Sequence, residues 1–290
     1  MQSRHPVRHQ RRRFLIATLA AGVPLTCGTF AAAAAAADAP DAPAGPDPDE
    51  ERWRTLASHY FGDRPISDGA GLLEIDAPQR AHDAAIVPIT VRAIDPGRAV
   101  HRLHLIVDRN PLPLAGTVAF APAGRDWQSL ETRIRINEYT RVRAVGELAD
   151  GSLVQVSRFV KAAGGCSAPA MADMAAALAN AGRMKVLLGR PDGTLPGSPV
   201  SEAVIRIRHP NHSGMQFDQI SRHYIPAFFV DTIDARVDDE PLFSVKTNFS
   251  MSENPVVHLR YRPRGGSEGR TLSVSATDSR GNGYRHDSDS

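Results

Sequence analysis

The chain has 290 residues, with 34 Lys and Arg against 32 Asp and Glu, 42% hydrophobic residues and 2 Cys. Five of the basic residues, Arg4, Arg8, Arg11, Arg12 and Arg13, fall in an N-terminal segment that reads as removable, and without them 29 basic residues face 32 acidic, moving the net charge from +2 to −3. No basic field then remains to drive binding to nucleic acid or to an anionic membrane.

The removable segment is an export signal. Gln10-Arg11-Arg12-Arg13-Phe14-Leu15-Ile16 sets twin arginines ahead of an apolar run that extends to about Leu25, and an alanine tract follows from Ala31 to Ala37. A cationic start, a short apolar run and small residues before a cleavage point form a signal peptide over 1–37, with cleavage among Ala35 to Ala37. Twin arginines direct it to the Tat pathway and hence to the periplasm. The apolar run is shorter than the roughly 20 residues a membrane span needs, so no membrane association is expected after cleavage. Cys27 leaves with this segment, since Thr26 ill suits a lipidation site. Cys166 is then the single thiol of an exported chain, a pattern that implies an intermolecular disulfide or a free reactive thiol. A buried, inert cysteine is the plain alternative.

Residues 38–50 are rich in Pro, Ala and Asp and read as a disordered tether. Trp53, Leu56, Tyr60 and Phe61 recur at near-helical spacing and predict a short amphipathic helix. From about residue 85 the hydrophobic period changes to two. Strands are expected over 87–92, 101–107, 132–136, 142–148 and 151–160, the last opened by the Asp150-Gly151 turn of a tight hairpin. After Gly164-Gly165-Cys166-Ser167-Ala168, an Ala-rich helix is expected from Pro169 to Ala181, with Met171, Met174 and Leu178 on one face and Gly182 as its stop. A second set of strands follows at 203–208, 225–230, 232–237, 256–262 and 271–276, and the stretch from Gly281 to Ser290 reads as a frayed tail.

These patterns predict an all-β protein of two β-sandwiches, with an N-terminal helix and a short Ala-rich helix between them. A brief echo supports duplication: Asp108-Arg109-Asn110-Pro111 leads into one strand and Ser252-Glu253-Asn254-Pro255 into another. The boundaries fall at 38–50 for the linker, 51–168 for the first sandwich, 169–200 for helix and linker, 201–285 for the second and 286–290 for the tail.

The chemistry centres on Cys166. A thiolate attacks electrophilic sulfur and releases it again by exchange. Gly164 and Gly165 remove side-chain obstruction, and Ser167 and Ala168 are small, so the loop suits entry into a partner's cleft. Lys161 is the nearest charge that could support the thiolate. No Cys-x-x-Cys, Gly-x-Ser-x-Gly or phosphate loop is present, so the motif favours delivery over catalysis. His209-Pro210-Asn211-His212-Ser213-Gly214 offers two histidines three apart, but zinc usually needs at least three protein ligands, so a plain turn is the better reading. Arg133, Arg135, Arg141 and Arg143 form a basic array that is either a solvated face or a hold for an anionic cargo or partner.

Val91-Arg92-Ala93, Asp108-Arg109-Asn110-Pro111, the run from Thr132 to Val145 and Val160-Lys161-Ala162-Ala163-Gly164-Gly165-Cys166 resemble the SoxY sulfur-carrier subunit. Arg208-His209-Pro210, Tyr224-Ile225-Pro226-Ala227, Phe249 to Pro255 and the Asp278-x-x-Gly281 turn are similar to its partner SoxZ. The chain thus resembles a SoxY–SoxZ fusion over about residues 80–285, of the kind associated with PQQ-dependent quinoprotein alcohol dehydrogenases. The resemblance implies immunoglobulin-like sandwiches packed together and a periplasmic carrier, not an enzyme, bearing a sulfur intermediate on Cys166. It implies no other cofactor and no metal. The partners it implies are sulfur-oxidation enzymes, or periplasmic oxidoreductases such as a PQQ-dependent dehydrogenase. Two departures stand out. Ser167-Ala168-Pro169 replace a terminal Gly-Gly, so the arm is tethered at both ends, and Phe228 stands where SoxZ tends to have histidine. A non-covalent assembly module for a dehydrogenase, or a sulfurtransferase with Cys166 as nucleophile, are the competing readings.

Overall fold

The computed structural model of the chain describes residues 48–95, 100–169, 174–189, 200–263 and 269–288. The expected signal segment, the stretch 38–47, Met171 and the Gly-, Pro- and Ser-containing stretch 190–199 lie outside the described residues. Helix α1 spans Pro48–Phe61 and strands β1 Ile66–Asp68, β2 Leu73–Asp76, β3 Val87–Ala93, β4 Val100–Val107, β5 Leu114–Phe120, β6 Trp127–Ile134, β7 Thr140–Leu148 and β8 Leu153–Val160 complete the first half. The second half holds α2 Met174–Ala179, β9 Met184–Gly189, β10 Ser201–Ile207, β11 Phe217–Asp218, β12 His223–Tyr224, β13 Val230–Val237, β14 Glu240–Thr247, β15 Val256–Tyr261, β16 Leu272–Asp278 and β17 Gly283–Asp287.

Alternation in the sequence becomes alternation in burial. Strand β15 reads half-buried, buried along its length, and β16 alternates buried with more exposed positions, as a sheet packed on one face requires. The result is the expected all-β pair of sandwiches, but the halves share their sheets. One sheet runs β1-β8-β7-β4-β5-β14-β13-β16-β17 and the facing one β2-β3-β6-β15-β10-β9. The halves therefore join edge to edge in both layers. Phe120 lies opposite Phe243 and Gly116 opposite Thr247 in the first layer. Leu130 lies opposite Leu259 and Trp127 opposite Tyr261 in the second. An open strand edge exposes unpaired backbone groups and invites aggregation, and this pairing covers one such edge of each half in each layer. A single core, including Leu103, Trp127, Leu130, Ile205, Leu259 and Val274, runs across the join.

Helix α1 docks Trp53 and Phe61 onto Ile106, Val145 and Leu153, forming a smaller cluster. Asp49, Glu50 and Glu51 lie in its first turn, where the helix dipole favours negative charge. Beneath it, Arg143 donates from Nε to both carboxylate oxygens of Asp108 at 2.9 and 3.0 Å, and its guanidinium sits 4.2 Å over the Trp53 ring.

Several expectations are corrected. The helix begins at Pro48, so residues 48–50 belong to it rather than to a tether. The segment 169–200, read as helix and linker, contains strand β9 as well as α2, and the described helix covers only Met174–Ala179. Residues 225–229 are not in a strand, because the backbone of Phe228 is drawn off to pair with His212. The supposed tail forms β17, laddered to β16, with the Tyr284 hydroxyl donating to Asp278 at 2.5 Å.

Candidate functional site

The cysteine loop leaves the end of β8 and folds back into the join between the halves. Lys161 is fastened to the segment before β3, its amide donating to the Gln79 carbonyl at 2.9 Å. The amides of Gly164 and Gly165 then donate to the carbonyls of Asn137 and Ile136, each at 2.9 Å. Gly164 has φ of 80°, a left-handed conformation that glycine adopts without strain. At Gly165 a side chain has no room: a Cβ there would lie 2.0 Å from the Ala84 carbonyl oxygen and 2.7 Å from that of Ile136. Gly164 therefore serves the turn, where a Cβ would meet nothing within 4 Å, and Gly165 serves the close packing. The Ser167 amide closes the turn onto the Gly164 carbonyl at 3.2 Å.

The other wall comes from the second half, supplied by the His209–Gln216 loop. The Ser213 hydroxyl donates to the Cys166 carbonyl, and the Gln216 amide donates to the Ala168 carbonyl at 3.1 Å. Arg135, just past β6, donates to the carbonyls of Gly165 and Asn211, both at 3.2 Å, and so ties the two loops together. His212 contacts Gln216 Oε1 through Nδ1 and Met174 Sδ of α2 through Nε2, each at 3.0 Å. The cysteine loop is clamped on both sides.

Cys166 is consequently 0% exposed, which overturns the expectation of an accessible thiol on a flexible loop. The physical reason is the set of hydrogen bonds and the close approach at Gly165, which hold the loop down. Burial pushes the thiol pKa up to about 11, and the positive charge of Arg135 opposes that rise. At pH 7 the thiolate, the reactive form, is then only about one part in ten thousand. The closed loop stores a thiol; it does not present one.

Electrostatic support expected from Lys161 comes instead from Arg135, which is 1% exposed. Lys161 is drawn aside by its pairing with the Gln79–Ala81 segment, whereas Arg135 bonds the loop directly. The basic array is likewise not one solvated face. Arg135 and Arg143 are buried, Arg141 is half-buried, and Arg133 alone of the four is exposed. The two histidines of the His209–Gly214 segment are engaged in hydrogen bonds. His209 Nδ1 meets Asn211 Oδ1 at 2.9 Å, and burial lowers its pKa to about 4. Among the described residues no group of three His, Cys, Asp or Glu side chains is placed to hold a metal. Phe228 packs against His209 at 4.3 Å and carries the Arg280 guanidinium at 3.9 Å over its ring.

Sequence reasoning missed Arg135, Ser213 and Gln216 as the residues that hold the cysteine loop. Arg135 and Ser213 lie in stretches that the sequence singles out, the basic array and the His209–Gly214 turn, whereas nothing in the sequence marks Gln216. Only the tertiary fold brings them to Cys166.

The family model of the sulfur oxidation protein SoxY matches residues 57–166, ending on the cysteine itself. That of the sulphur oxidation protein SoxZ matches residues 191–289. No curated protein matches the chain. Among solved structures, the chain is similar to the sulfur carrier protein SoxY from Chlorobium limicola f thiosulfatophilum, with 23% identity and a TM-score of 0.34 over 39% of this chain and 94% of that one. It is also similar to superoxide reductase (neelaredoxin) from Ignicoccus hospitalis, with 15% identity and a TM-score of 0.27 over 31% of this chain and 78% of that one. At that level of likeness neither solved structure bears on the chemistry of the site.

Proposed function

From the premise that this chain is a SoxYZ-like protein, a single-chain SoxY–SoxZ fusion, we propose that it is a periplasmic carrier holding a sulfur intermediate as a covalent adduct of Cys166. The tandem domains support a sulfur-oxidation carrier role, with sulfur-oxidation enzymes as the general kind of partner. The observation that carries the finer reading is the clamp. Cys166, the one free thiol among the described residues, lies where the two domains meet, on a loop whose polar contacts to the second domain are side-chain hydrogen bonds that can be broken and remade. In the closed state the adduct is shielded, and in the open state it reacts.

Loading then proceeds by exchange. With the loop open, the thiol loses its proton to solvent and the thiolate attacks one sulfur of a donor's sulfur–sulfur bond. That bond breaks, the donor's other sulfur leaves as a thiolate with the electron pair, and a new sulfur–sulfur bond forms at Cys166. Release is the reverse step with an acceptor thiolate. No external oxidant is needed for either. The twin arginines assign the chain to the Tat route, and an oxidoreductase such as a PQQ-dependent dehydrogenase fits as a client. Lys-Lys at positions 11 and 12 should leave precursor in the cytoplasm; normal export of that variant would remove the Tat assignment.

A second reading, a non-covalent assembly module, is favoured by the burial of Cys166 and its raised pKa. Cys166→Ser separates the two. The carrier reading expects cells with this variant to lose sulfur oxidation at an unchanged protein level. The module reading expects them to keep it.

A further inference from the structure

The outer face of the six-stranded sheet is divided by charge. At one end, His258 bridges Glu202 at 2.9 Å and Glu131 at 3.4 Å, and Arg260 lies 3.6 Å from Glu202, so the charges there are matched. At the other end lies a groove of about 840 Å³, walled by Ala176 and Ala177 of α2 and Asn180 just after it, and lined by Arg133, Arg183, Lys185, Arg206 and Arg208. All five cations are exposed. Among the described residues none has a carboxylate within ion-pair distance, and the groove lining contains no acid.

The register makes this arrangement unfavourable by itself. Lys185 and Arg206 are direct cross-strand partners, and the Arg208 amide donates to the Arg183 carbonyl at 2.7 Å, setting a second cationic pair beside the first. Like charges directly opposite one another on a sheet are destabilising. Among the described residues a row of such pairs stands without internal compensation, which a bound anion would supply. The size of that anion follows from geometry. Lys185 on β9 and Arg133 on β6 are separated by three strand spacings, about 14 Å at the usual inter-strand distance. A single small oxyanion cannot reach both ends; an extended run of carboxylates can. Arg133 is also only two residues from Arg135, about 7 Å along an extended chain, so an occupant of the groove comes close to the clamp on Cys166.

We propose that this groove is a docking site for an acidic segment on the surface of a partner protein, which it holds beside the cysteine loop. Complementary charge of this kind steers encounter and fixes orientation, so the partner's reacting group arrives on the side where the loop opens. The binding does not depend on the cargo, and Cys166→Ser retains it.

Fluorescence anisotropy of a labelled hexaglutamate peptide, titrated with the full mature chain at low salt, tests the proposal. The peptide should bind, binding should weaken as salt screens the charges, and the double variant Lys185→Glu/Arg206→Glu should weaken it by about tenfold or more. Arg133→Gln/Arg183→Gln/Arg208→Gln, which only removes charge, should weaken it in the same direction. Arg125→Glu, an exposed arginine outside the groove, should leave it unchanged. Equal loss in all three variants, or no loss in the first two, overturns the proposal. So does full competition by sodium sulfate at the same carboxylate-equivalent concentration, which would make the groove a small-anion site.

Discussion

Replacing Ser213 and Gln216 by alanine should free the cysteine loop without touching the cysteine. The Ser213 hydroxyl donates to the Cys166 carbonyl, and the Gln216 amide donates to the Ala168 carbonyl at 3.1 Å. Both bonds exist only while the loop is closed. A typical intramolecular hydrogen bond contributes about 1 kcal/mol net, so losing both shifts the closed–open balance by about 2 kcal/mol, or roughly 30-fold in the open population. A maleimide reacts with the thiol only in the open state. Its native-state labelling rate should therefore rise about fivefold in Ser213→Ala and roughly 30-fold in the double variant. Small additions of urea distinguish local opening from global unfolding, because a local opening exposes little surface and responds weakly. Equal labelling rates for wild type and double variant would refute the clamp, as would labelling that follows the urea dependence of global unfolding.

Three further outcomes follow from the same geometry. Gly165→Ala should expel the loop, because its Cβ would meet the Ala84 carbonyl at 2.0 Å and backbone cannot yield that far; Cys166 should then label like a free thiol while the sheet signal in circular dichroism is kept. The closed loop holds the thiol at about 11 against an ordinary 9.0, so it keeps its proton more tightly than the open one. Its advantage is intact below pH 9 and is lost between 9 and 11, about 3 kcal/mol across that window. Labelling corrected for the free-thiolate fraction should accordingly stay flat to pH 9 and climb beyond it, where a flat profile throughout would contradict a buried resting thiol. Arg143→Met strands the buried Asp108 carboxylate and should cost about 3–5 kcal/mol, read as a lowered urea midpoint; an unchanged midpoint would show that the pair does not support the seat of α1.

Parts of this molecule could be read directly from residues. Val256–Tyr261 and Leu272–Asp278 announce themselves because one face of each is buried and the other is not. The strands that join the halves do not. Strand β5 carries Gly116 and β14 carries Pro241, residues that weaken a strand signal. A Cβ at Gly116 would stand 3.2 Å from the Lys246 carbonyl oxygen, a tight contact, so the close approach at the join favours the residue that hides it. Strand β17 was hidden by its polar composition, being an edge strand with little to bury. At the site, Cys166 stood out in the sequence as the candidate carrier residue, while its burial was the alternative that the small neighbours argued against. Small neighbours suit a free arm and a tightly packed turn equally, and only the position of Ala84 decides between them at Gly165. Lys161 was nearer in sequence than Arg135, yet Arg135 is the charge that reaches the thiol.

The central claim, that Cys166 carries a covalent sulfur intermediate, is tested most directly by intact-protein mass spectrometry of chain purified from its native cells without reductant. The account predicts a fraction with added sulfur-containing mass that returns to the unmodified mass on reduction, and no such fraction in Cys166→Ser. A single unmodified mass in wild type, recovered from cells that are actively oxidising sulfur compounds, would contradict it.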